Sequence, residues 1–325
     1  MKRTLIPSLL LSIPLATASL AQDIIKKQTP AERDQTTKLQ IFLDQQLFGP
    51  GKIDGLPGEF TTKALIRYQR ARGLDATGKP EDGIDLNSVG PVYIDYTIQA
   101  GDLSFVGPSP SEPADQAKLQ YLPYRDLLEF LTERFHCSPD FLLRINKESN
   151  PELNLERLKE GDVVRVPNVE PFKVEEVPKT GGFLPEIPEF KKRTINVNRA
   201  EKLLELTEGD KLLACVPITP GAGNLETPAG TWKIMGIATA PTFRWDKSVL
   251  ETGVRSDRFY MLPPGPNNPV GVLWCGLNKP GIGIHGTNSP QTIGRTSSHG
   301  CMRVANWDVV RLSKLITKGM TVVIE

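Results

Sequence analysis

One short window of this chain gathers side chains that can make and break a covalent bond. The run Ser298-His299-Gly300-Cys301-Met302-Arg303 sets a thiol beside an imidazole, and a second histidine, His285, lies sixteen positions before Cys301. The 325 residues include only three histidines and four cysteines; two of the former and one of the latter fall in this window. A thiol with an unperturbed pKa of about 8.5 is only a few per cent ionised at neutral pH, so it needs a base to become a useful nucleophile. An imidazole within hydrogen-bond reach supplies that base, the general design of cysteine acyl-transfer enzymes. Gly286, Gly294 and Gly300 let the backbone turn sharply and bring amide N–H groups toward a substrate carbonyl. The window reads as a catalytic site.

The set Ile284-His285-Gly286-Thr287, Gly294 and Ser298-His299-Gly300-Cys301-Met302-Arg303 resembles the signature of the L,D-transpeptidase (YkuD) family, enzymes that cross-link peptidoglycan stem peptides. Thr227-Pro228-Ala229-Gly230-Thr231-Trp232 is similar to that family's strand-entry motif, and Gly265-Pro266-Asn267-Asn268-Pro269-Val270-Gly271 to its Gly-Pro/Asn-Pro-Leu-Gly run. The likeness covers residues 194–325, and the ordered set is specific where a lone His-Gly-Cys is not. It implies that Cys301 attacks a peptide carbonyl whose leaving group is a D-amino acid, giving a thioester. It also implies that His285 takes the thiol proton and returns it to the leaving amine; spacing alone does not separate His285 from His299, which lines or supports the site. The backbone carbonyl of Gly286 is expected to hold the imidazole tautomer, and the amides of Gly300 and Cys301 are candidates for an oxyanion hole. Ser298 is a supporting residue, and Arg303 either meets a substrate carboxylate or braces the loop. The acceptor decides the outcome. A stem-peptide amine gives a cross-link, an envelope protein gives attachment, and water gives an L,D-carboxypeptidase or endopeptidase. The resemblance favours transfer and implies acylation of Cys301 by carbapenem-type β-lactams.

Three blander readings compete. Cys301 as a core thiol fits poorly with its polar, glycine-rich surroundings. A zinc site built from His285, His299, Cys301 and Cys275 lacks the paired spacing such sites show. A non-catalytic wall-binding protein does not need an intact Cys-His set. No metal or cofactor is expected.

The elements that position this window belong to a chain long enough for two or three domains. The formal net charge of +1, with Lys, Arg, Asp and Glu evenly spread, gives no nucleic-acid or polybasic signal. Lys2 and Arg3 precede an apolar run from Leu5 to Leu15, and Ser19-Leu20-Ala21 offers small residues where a signal peptidase reads, so residues 1–21 read as a secretory signal peptide. No later stretch is apolar for long enough to span a bilayer. The expected location is the periplasm or cell wall. Export would permit a disulfide such as Cys215–Cys275, while buried free thiols at Cys137, Cys215 and Cys275 are an equally good account.

Residues 22–90 carry two helical stretches around Pro50-Gly51-Lys52-Ile53-Asp54-Gly55, and their motif order resembles the small helical peptidoglycan-binding domain. Residues 91–169 give a β-α-α-β order similar to the LysM carbohydrate-binding module, including Asn146 near the end of its second helix. They depart from it through a Pro- and Ser-rich insertion at residues 104–122. His136 reads there as structural or surface-exposed. Residues 170–193 look like a linker. Residues 194–325 are β-rich, with one helix from Trp307 to Lys318 that Asn306 is placed to cap. The expected fold is therefore multidomain α+β: a helical domain, a LysM-like module, and a β-sandwich-like catalytic domain. Peptidoglycan stem peptides and glycan are the expected partners.

Overall fold

The computed structural model describes residues 28–80 and 83–325. The signal-peptide expectation for residues 1–21 lies outside them. Helix α1 (Pro30–Gln45) starts with a reciprocal cap: Thr29 accepts from the Glu32 amide and the Glu32 carboxylate accepts from the Thr29 amide. Gln40 on α1 accepts from the amides of Asp54 and Gly55 and so pins the glycine-rich turn that follows. Helix α2 (Glu59–Ala71) follows Gly58 as its N-cap residue, and its Tyr68 meets Phe42 and Phe48 edge-on.

In the second module, strand β1 (Tyr93–Thr97) is followed by the short helix α3 (Pro113–Gln116) inside the insertion. Then come α4 (Leu127–Arg134), capped by Asp126, and α5 (Pro139–Ser149), capped by Ser138. Strand β2 (Val163–Pro167) closes the unit antiparallel to β1, so the expected β-α-α-β order is present. Asn146 ties α5 to β2: its side chain donates to Arg165 O and accepts from the Arg165 amide.

The segment read as a linker is held along its length. Phe172 and Val174 are buried, Leu184 N donates to Ile237 O, and Ile187 N donates to Thr317 Oγ1. Its Gly182–Phe183 forms strand β3. Strands β4 (Arg193–Asn198), β5 (Leu203–Glu208), β6 (Lys211–Pro217) and β7 (Gly230–Thr239) follow. A small hairpin comes next: β8 (Phe243–Trp245), helix α6 (Lys247–Thr252) and β9 (Tyr260–Leu262). The chain ends with β10 (Leu273–Leu277), β11 (Gly283–His285), β12 (Met302–Arg303), helix α7 (Asn306–Ser313) and β13 (Thr321–Ile324).

Hydrogen bonding joins nine of these strands in the order β12-β11-β10-β7-β13-β4-β5-β6, with β3 also on β7. Strand β7 changes partner along its length. Gly230 to Lys233 pair with β13, and Ile234 to Thr239 pair with β10 across a register shift. One long strand serving two partners is how a sheet turns a corner and encloses a core from both sides. Helix α7 is shorter than expected and begins at Asn306 itself, with Ala305 as the cap residue and no side-chain cap. The Asn306 side chain is used elsewhere, as described below.

The N-terminal domain is built into this sheet. Gly49 N donates to Cys215 O and Cys215 N to Leu47 O, so residues 47–49 cover the free edge of β6. Arg67 on α2 pairs with Glu201 and Glu205 beside it. One buried cluster of apolar side chains runs from Leu39 in α1 through Phe130 in α4 to Ile324 in β13.

Candidate active site

Strands β11 and β12 are parallel neighbours, with Ile284 opposite Met302 and His285 opposite Arg303. This pairing brings residues sixteen apart in sequence to one place, since Cys301 directly precedes β12. The loop before it is held by the segment after β6: Thr219 and Arg303 exchange both backbone hydrogen bonds, and Ser298 N donates to Pro220 O. Ser298 Oγ donates to Cys301 O and accepts from the Gly300 amide, closing a tight turn. Gly300 sits at φ +109°, a left-handed conformation only glycine adopts without strain.

His285 is buried, and its Nδ1 lies 2.6 Å from the Gly286 carbonyl, so Nδ1 carries the proton and Nε2 is left as the basic nitrogen. Trp274 of β10, the cross-strand partner of His285, stacks on its ring at 5.3 Å and 19°. Cys301 is half-buried, and its Sγ donates to Gly281 O at 3.3 Å. Both residues line one groove of about 1150 Å³, with His299, Ser298 and Arg303. His299 is exposed there. Arg303 has a long contact to Ser297 O at 3.4 Å and, among the described residues, no carboxylate partner.

Burial governs the electrostatics. It pushes the Cys301 thiol up to about 11, with the Gly283 amide and the Arg303 cation pulling partly back. It pushes the His285 imidazole down to about 4, the Gly286 carbonyl opposing and Arg303 reinforcing. His299 is lowered by burial and by Arg303. At neutral pH the thiol and the imidazole both therefore rest in their neutral forms.

All four cysteines are free, so the Cys215–Cys275 bridge is not formed. Among the described residues, no three His, Cys, Asp or Glu side chains gather as a metal site needs. Nor is any helix long and apolar enough to cross a membrane. Sequence reasoning missed Trp274, which meets His285 only through strand register. It also missed the far wall of the groove, formed by Phe183 of the supposed linker and by Phe243, Arg244 and Asp246 of the small hairpin. Asp246 is buried and accepts from Ser256 N and Oγ, which fixes that hairpin.

Comparison with known proteins places these features in context. A family described as the L,D-transpeptidase catalytic domain, YkuD, matches residues 192–324, and one described as a "Putative peptidoglycan binding domain" matches residues 32–82. "Putative L,D-transpeptidase YkuD" of Bacillus licheniformis is 27% identical over 197 residues, which is 61% of this chain and 92% of that protein. "Putative L,D-transpeptidase YqjB" of Bacillus subtilis is 30% identical over 133 residues, 39% of this chain and 68% of that protein. Among solved structures, an L,D-transpeptidase from Mycobacterium smegmatis aligns over 52% of this chain and 76% of its own, at 14% identity and a TM-score of 0.34.

Proposed function

The chain belongs to the YkuD family of L,D-transpeptidases, and from that premise we propose that it is an exported enzyme acting on peptidoglycan stem peptides through Cys301. In the first half-reaction, Sγ attacks the carbonyl that precedes a D-residue while His285 Nε2 takes the thiol proton. The C–S bond forms, the C–N bond breaks, and the same proton leaves on the departing amine. In the second, an acceptor amine attacks the thioester; its C–N bond forms, the C–S bond breaks, and the sulfur recovers a proton through His285. The acceptor is a second stem peptide or an envelope protein.

One observation carries the reading: a histidine locked in one tautomer by its neighbour's carbonyl shares an open groove with a half-buried thiol. Arg303, on the same groove and without a carboxylate partner among the described residues, suits a carboxylate of the donor peptide. The peptidoglycan-binding domain and the β-α-α-β module suit a wall substrate, the first by family and the second by its LysM-like order. Replacing Cys301 with alanine should abolish acyl-enzyme formation with tetrapeptide donors, as read by intact mass. A rate unchanged by that substitution refutes the assignment. Mass spectrometry of muropeptides after incubation identifies the acceptor, with free tetrapeptide loss and no new cross-link marking hydrolysis instead.

A further inference from the structure

The insertion that breaks the LysM-like pattern is where the second module docks on the catalytic domain. Leu122 N donates to Pro264 O, Asn267 N donates to Leu122 O, and the Asn267 side chain donates to Pro123 O and to Glu129 of α4. This docking carries one further side chain across the boundary. Glu133 of α4, 5% exposed, accepts from Asn306 Nδ2 at 3.0 Å, and its other oxygen accepts from the Tyr124 hydroxyl.

Asn306, fully buried, stands behind the catalytic histidine. Its Nδ2 also donates to Thr287 O at 3.1 Å, and its Oδ1 accepts from Val272 N at 3.2 Å. A Cβ added to Gly286 would lie 2.0 Å from that Oδ1, so the amide presses directly on the residue whose carbonyl orients His285. The chain of contacts is Tyr124, Glu133, Asn306, then the Gly286-Thr287 segment, then the imidazole. Two of its members come from outside the catalytic domain.

We infer that Glu133 is a positioning residue for acyl transfer: by holding the Asn306 amide it fixes the Gly286-Thr287 segment and so the ring of His285. The inference rests on the functional reading above. A buried group that meets a side-chain amide on one oxygen and a phenol on the other makes a defined three-way hydrogen-bond junction. Burial raises its carboxyl to about 8, while the hydrogen bonds it accepts from Tyr124 and Asn306 pull partly back. Glutamine keeps an oxygen to accept from Asn306; leucine fills the volume without one.

The test uses the full chain with a tetrapeptide donor, and NMR of the downfield proton on His285 Nδ1. Glu133→Leu should lower kcat on the order of ten- to a hundredfold with KM changed by less than about twofold, and should shift or broaden the ring-proton signal. Glu133→Gln should restore both. Leu142→Ala truncates a buried side chain of α5 outside this chain of contacts and should leave kcat and the signal near wild type even where thermal stability falls. Asn306→Ser gives a second arm, should the leucine variant not fold, and is expected to show the same kcat loss. A wild-type kcat and signal in Glu133→Leu or Asn306→Ser overturns the inference. So does an equal loss in Leu142→Ala, which would mark general destabilisation. If the wild type forms no acyl-enzyme, the functional reading fails, while the ring-proton signal still decides the positioning because it needs no turnover.

Discussion

A thiol raised to about 11 and an imidazole lowered to about 4 on one groove do not rest as an ion pair. At pH 7 the free thiolate is about one part in ten thousand, so uncatalysed alkylation of Cys301 by iodoacetamide should rise about tenfold per pH unit up to pH 10. Acyl transfer should behave differently. The productive state is thiol plus neutral ring, which is populated above the folded pKa of His285 and below that of Cys301. Therefore kcat/KM should be level from about pH 5 to 10, and replacing His285 with asparagine should turn that plateau into a line rising with pH. A steep limb between pH 6 and 7 in the wild type contradicts the burial argument. Cys301 and His285 were legible in the sequence because rare residue types recur there among glycines. Trp274 was not, because only the β10–β11 register sets its ring on His285. Asn306 was misread as a helix cap: its position before an amphipathic run is what a cap looks like, and only tertiary packing turns its amide toward Glu133.

At the scale of elements, the sequence was most informative where strands are long and regular. β4, β6, the first half of β7 and β13 fall where apolar, β-branched runs place them, while the two- and three-residue strands β3, β8, β9, β11 and β12 carry no such pattern. Gly182–Phe183 explains the misread linker: proline and glycine suggest a free tether, yet strand pairing needs only backbone groups, and β7 supplies them. The docked α4 has a thermodynamic signature. Burial, and to a lesser degree the neighbouring Glu129, raise Glu133 to about 8, while its hydrogen bonds to Tyr124 and Asn306 oppose the rise. In the unfolded chain the same carboxyl titrates near the usual value, about 4.3. Between those values the folded state binds the extra proton, so stability is highest below about pH 4 on this account and falls as pH rises toward 8. Glu133→Gln removes the titration. It should therefore be more stable than wild type by roughly a few kcal/mol at pH 9, with the gap closing toward pH 5 in urea titrations. A gap independent of pH refutes the assignment of the buried acid.

Motif order along the chain suggests three modules but not that they share a core. The clearest sign of fusion is a buried junction whose members come from all three. Asp44 of α1 accepts from Arg311 of α7 at 2.9 and 3.0 Å and faces His136 Nδ1 at 3.1 Å; His136 stacks on Trp307 at 5.1 Å, and Arg311 also meets Asp308. Nothing local in the sequence marks Asp44 or Arg311 as partners in such a junction, and His136, read as structural or surface-exposed, is buried in it. Burial alone would push the Asp44 carboxyl up, but Arg311 and His136 outweigh it and hold it well below the usual carboxylate range. Modules tethered by a flexible strap would let the wall-binding domain swing freely, and each would unfold on its own. A continuous core with a charged junction at its centre predicts one cooperative transition for all three. Asp44→Ala leaves the part-buried Arg311 with only Asp308 as a carboxylate partner and should cost about 3 kcal/mol. That loss should appear in a tryptophan-fluorescence urea curve even though Asp44 lies outside the catalytic domain, because Trp307 reports from α7. Two separate transitions in the wild type, or an Asp44→Ala curve that overlays it, would mean that the N-terminal domain is a tether rather than part of the enzyme's core.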